Sequence, residues 1–67
     1  MWIEAPTCKG VVLINFDHIQ AVDNNEGLCD LYFSSGVTNT SIQFSAFQDF
    51  LERNNLLQAS FEEKTSG

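Results

Sequence analysis

Between Val11 and Ile19 the apolar residues keep one rhythm and then break it. Val12, Ile14 and Phe16 alternate with polar Asn15 and Asp17, the period of two that places side chains on opposite sides of a strand. Ile19 then takes the apolar role three residues after Phe16. A spacing of three fits one tight helical turn, or a bulge, that returns both side chains to the same core. Asn15 and Asp17 suit such a turn, because their short side chains bond nearby backbone N–H groups. The segment predicts a strand, a tight turn at residues 15–18 and a second strand. Val11 to Asn15 is almost wholly apolar and is expected to be covered on both faces.

The remaining chain adds short strands and one helix. Residues 1–5 alternate as a first strand, closed by Pro6, which cannot donate to a ladder. Residues 19–23 make another extended piece before the loop Asp23-Asn24-Asn25-Glu26-Gly27. Leu28 to Ser34 is a strand, and Ser34-Ser35-Gly36 a tight turn leading into a last strand, residues 37–44. Ser45 and Gln48 have the spacing of a capping box, so a helix is expected over residues 46–54 with Phe47, Phe50 and Leu51 on its apolar face. Asn54-Asn55 should end it, since Asn accepts the left-handed conformation. The predicted fold class is α+β and mostly β: a small antiparallel sheet of four to five short strands, with one C-terminal helix packed on one face. Residues 1–57 form the single domain, and residues 58–67 a frayed polar tail.

Near the bend, Ile14-Asn15-Phe16-Asp17-His18-Ile19 resembles the small bacterial flagellar-accessory proteins of the FlbD type. Asn15, Asp17 and Ile19 match that family's turn, Gly36 its glycine turn and Ser45 its helix start, over roughly residues 12 to 53. The resemblance implies a small sheet with a terminal helix and an accessory role. Similar small accessory proteins of phages and mobile elements have the same shape. The family carries more Lys and Glu around its last strand and helix, where this chain has Val37 to Ser41 and the Phe47/Phe50 pair.

Nine acidic residues stand against three basic ones, Lys9, Arg53 and Lys64, for a net charge of -6. Phosphate recognition needs clustered Lys and Arg, so the balance argues against nucleic acid as partner. No apolar run reaches the length of a membrane span, and nothing resembles a secretory leader; a soluble, cytoplasmic protein is expected. In a reducing compartment Cys8 and Cys29 would remain thiols, and both are expected to be small buried hydrophobes.

No catalytic or metal-binding set can be assembled from these residues. A zinc site would require Cys8, His18, Cys29 and a carboxylate, without any C-x-x-C pair. Asp17 and His18 are adjacent, which in an extended stretch points them apart. No nucleophile has a neighbouring base. The sequence therefore predicts a protein that is not an enzyme and needs no cofactor. Phe16, Phe33, Phe44, Phe47 and Phe50 have inward phases, whereas Trp2, Tyr32 and Phe61 do not. Trp2 and Tyr32 are the candidate surface for a partner or a second copy, because each joins a large apolar area to a polar handle.

With 67 residues, the chain buries only about 60% of the surface its unfolded form exposes. Burial and ordering entropy nearly cancel at that size, so a homo-oligomer, most simply a dimer, is expected. Two functions follow as expectations. One is a non-enzymatic acidic interaction module that binds and modulates another protein. The other is an oligomer holding a small ligand, a metabolite or signalling nucleotide, between its subunits.

Overall fold

Strands β1 (Trp2–Thr7) and β2 (Gly10–Asn15) pair antiparallel as a ribbon, with Thr7 opposite Gly10 and Trp2 opposite Asn15. This computed structural model describes residues 1–59. Residues 60–67, which include Phe61 and most of the predicted tail, lie outside the described residues. After β2 comes a single 3-10 turn, Phe16–His18, where the Asn15 side chain accepts a hydrogen bond from the Asp17 N–H at 3.1 Å. The bend expected at residues 15–18 is therefore present, and it forms by the local Asn bonding that the sequence predicts.

Strands β3 (Ala21–Asn25), β4 (Leu28–Phe33) and β5 (Gly36–Gln43) make a second antiparallel sheet in the order β3-β4-β5. The β3–β4 loop is tighter than its polar run implies. Strand pairing continues to Asn25–Leu28, leaving Glu26 (φ 53°) and Gly27 (φ 90°) as a two-residue turn. Positive φ at both positions is what a type I′ hairpin requires, and its twist matches that of the strands. The Gly27 N–H also donates to Asn24 Oδ1 at 2.8 Å.

Two sheets, of two and three strands, thus replace the single sheet of four to five expected. Strand β1 runs beside β5 without forming a ladder with it. Pro6 supplies part of the reason. Its pair with Val11 is a non-hydrogen-bonded one, so its nitrogen faces away from β2, and there it has no hydrogen to donate.

Helix α1 (Phe44–Arg53) begins earlier than the capping-box pattern places it. Gln43 is the N-cap and makes no side-chain cap bond, so the Ser45–Gln48 box does not form. The Phe44 N–H, one of the donors a first turn leaves orphaned, instead reaches the Gly27 carbonyl at 2.8 Å. Starting there puts Phe44, Phe47 and Leu51 on one face at helical spacing. The far end follows expectation. Asn55 adopts φ 57°, the Asn55 N–H reaches the Glu52 carbonyl at 3.1 Å, and the Leu56 N–H reaches the Leu51 carbonyl at 2.8 Å. That pair of bonds is a Schellman closure around a left-handed Asn.

The core is small. Ala5, Ile14, Cys29, Leu31 and Phe47 are its buried apolar members among the described residues. Phe16, Phe47 and Phe50 cluster with ring centroids 5.9–6.2 Å apart, joining the bend to the helix. The β4–β5 register shifts between Leu28 and Asp30, and there the buried Thr40 hydroxyl donates to the Cys29 carbonyl at 2.7 Å. The side chain thereby occupies an acceptor at the irregular step of the ladder.

Two burial expectations fail. Cys29 is fully buried, but Cys8 is exposed in the β1–β2 turn, where no layer covers it. Strand β2 is not covered on both faces either. Ile14 turns inward, while Val11 and Leu13 are each 66% exposed. Among the described residues the one helix is laid against β4 and β5, and no element lies over the outer side of the ribbon.

Candidate interaction surface

The alternation of β1 and β2 sorts their side chains onto two faces. Ile3, Ala5 and Ile14 turn toward the core, and Val12 shares their side of the ribbon but is 37% exposed. Trp2, Glu4, Pro6, Val11 and Leu13 turn outward, with Glu4 directly opposite Leu13 and Pro6 opposite Val11. Trp2 is 67% exposed, so three of these outward residues offer large apolar side chains to the surface. Isolated exposed apolar residues are ordinary, but three on one face of one ribbon make a patch.

Trp2 and Tyr32, the residues expected to meet a partner, are both exposed, and they lie on different sheets. Trp2 belongs to the ribbon patch. Tyr32, 39% exposed, pairs with Val37 on the outer side of the second sheet, and Val37 is exposed as well. Val11 and Leu13 are the surface residues that sequence reading missed. Their apolar run reads equally as a strand buried twice or a strand left bare once. Only the layer count separates the two.

The charges avoid the ribbon's second strand. Acids fall on β1 (Glu4), the 3-10 turn (Asp17), β3 (Asp23), its turn (Glu26), β4 (Asp30) and α1 (Asp49, Glu52). Strand β2 carries none, and the nearest base along the chain is Lys9 at the ribbon tip. The acids of the described residues are therefore distributed over many elements. Asp30 is buried and accepts a hydrogen bond from the Asn25 side chain at 3.0 Å.

A groove runs beside the helix, about 430 Å³ in volume, between Ile3 and Pro6 of β1, Ile42 of β5 and Ala46, Phe47 and Phe50 of α1. Its walls are mostly apolar, with Glu4 and Gln43 as polar members. Among the described residues, no three His, Cys, Asp or Glu side chains gather as a metal-holding group. His18 is exposed at the end of the 3-10 turn, while Cys8 and Cys29 lie apart, one at the ribbon tip and one in the core. Burial pushes the Cys29 thiol above its ordinary pKa, with the neighbouring Asp30 carboxylate adding to the effect. That thiol is held protonated, the opposite of an activated nucleophile.

Among the described residues no helix is long and apolar enough to cross a membrane. No family model, no curated protein and no solved structure matches this chain.

Proposed function

We propose that this protein is a small, non-enzymatic, acidic interaction module, a homo-oligomer acting as an accessory or regulatory protein that binds and modulates another protein. The observation that carries this reading is the bare apolar side of the ribbon, Trp2, Val11 and Leu13, on a chain with only five buried apolar side chains among its described residues. A core of that size gives little surplus over the ordering entropy, and burying the ribbon face against another surface adds to it. The resemblance to small flagellar-accessory and phage accessory proteins agrees with a role exercised through contact rather than chemistry.

A second reading, a holder of a small ligand, draws on the apolar groove beside α1. Its walls favour an apolar molecule over a phosphorylated one, because Glu4 lies on it and neither described base, Lys9 in the β1–β2 turn or Arg53 at the end of α1, is among its lining residues. Native mass spectrometry of protein purified from its own cell distinguishes the two. A ligand-free assembly of more than one chain supports the interaction module. A retained small molecule, in one chain or between the subunits of an oligomer, overturns it in favour of the holder.

A further inference from the structure

The β1–β2 ladder fixes which backbone groups of β2 are free. The Phe16 N–H reaches the Met1 carbonyl at 2.7 Å, so Met1 and Phe16 are a hydrogen-bonded pair. Pairs alternate along an antiparallel ladder, and the register runs unbroken from Trp2–Asn15 to Thr7–Gly10. Glu4–Leu13 and Pro6–Val11 are therefore non-hydrogen-bonded pairs. The N–H and C=O groups of Val11 and Leu13 point away from β1, along an edge that no other strand in the described residues occupies.

We infer that this edge of β2 pairs antiparallel with the same edge of a second copy, about a two-fold axis through Val12; the inference rests on the oligomeric reading above and names its surface. In that register Val11 of one chain faces Leu13 of the other, twice. Both belong to the set whose backbone groups point outward, so the two strands form four N–H···O=C bonds. Val12 meets Val12 on the inner side. On the outer side, Val11 and Leu13 of each copy join into one apolar stripe.

For a second copy, charge singles out this edge. Two chains of net charge -6 repel, and can meet closely only where neither carries an acid. Residues 10–15 of β2 are uncharged, whereas the other free edge, β3, carries Asp23 and leads into Glu26. Charged side chains on an edge strand prevent strand addition, and β2 has none of its own. The same register brings Lys9 of each copy level with Asn15 of the other, near that copy's Asp17, so opposite charges fall at the ends of the shared sheet.

The test compares three variants with the unaltered chain by sedimentation equilibrium, with circular dichroism as the check on folding. V11K/L13K places ammonium groups on both sides of the axis and should weaken association at least about tenfold. Leu13→Pro removes an outward N–H while leaving the β1–β2 bonds intact, and should weaken it too. Ser35→Lys, in the exposed turn between β4 and β5, should leave it unchanged. Hydrogen exchange supplies a readout without mutation: the Val11 and Leu13 amides should slow as concentration rises, and those of Val22 and Asn24 on the β3 edge should not. A dimer that survives V11K/L13K, with fast exchange at Val11 and Leu13, overturns the edge pairing and leaves the oligomeric reading standing. An unaltered chain that is monomeric overturns both.

Discussion

Val11 stands directly opposite Pro6 across the β1–β2 ribbon, in a pair whose two backbones do not bond to each other. Pro6 thereby loses nothing by lacking an N–H toward β2, and the N–H of Val11 is turned outward. Neighbouring residues in β2 have opposite roles as a result. Ile14 is part of the core, and Leu13 touches little within its own chain. Ile14→Ala should cost the subunit about 2–5 kcal/mol through the cavity it leaves. Leu13→Ala should change subunit stability by no more than about 0.5 kcal/mol. Urea titrations at concentrations below association measure both, and equal costs would mean that Leu13 is buried.

The helix start gives a second prediction. Ser45 lies inside the first turn and accepts no capping bond, so Ser45→Ala should be nearly neutral, within about 0.5 kcal/mol. Phe47 is the buried member of the aromatic trio, and Phe47→Ala should cost about 3–5 kcal/mol. Phe50, half-buried, should fall between them. Chemical denaturation of the three variants gives the order, and a large loss at Ser45 would place the helix start back at a Ser cap.

Much of this architecture is legible in the residues, and the failures share a cause. Asn15 and Asp17 announce the bend because their bonding is local. Asn54-Asn55 announces the helix end for the same reason. The Ser45–Gln48 signal is local too, but a long-range bond from Phe44 to Gly27, together with the need to place Phe44 in the core, moves the helix start ahead of it. The single expected sheet becomes two where Pro6 withholds a donor from the β5 side. The Trp2 face was legible from strand phase, whereas the bareness of Val11 and Leu13 depends on how many layers the chain can build.

Thr40 is a buried polar side chain with two bonds, donating to the Cys29 carbonyl at 2.7 Å and accepting from the Ile42 N–H at 3.1 Å. Thr40→Val keeps the volume and removes both. The change should cost about 1–3 kcal/mol, because it strands a carbonyl at the register shift. Thermal unfolding monitored by circular dichroism measures it, and an unchanged melt would mean that the register shift tolerates the loss.

The two thiols should behave differently. Cys8, exposed at the ribbon tip, should react with a disulfide reagent at once, and Cys29 only after unfolding. Because burial raises the Cys29 pKa in the folded chain, its contribution to stability is complete below the ordinary thiol pKa. Above that value the unfolded chain ionises first, and this contribution falls as pH rises through the folded value. Cys29→Ala should flatten the alkaline loss of stability, and Cys8→Ala should not. A native protein in which both thiols label at one rate would contradict the burial of Cys29.

The proposed dimer uses the bare edge of β2 to add to the small core of each chain. The direct measurement is the melting temperature across about a hundredfold range of protein concentration, beside sedimentation equilibrium at low micromolar concentration. A dimer should show a mass of two chains and a melting temperature that climbs with concentration, since dissociation accompanies unfolding. A single-chain mass with a melting temperature independent of concentration would contradict it.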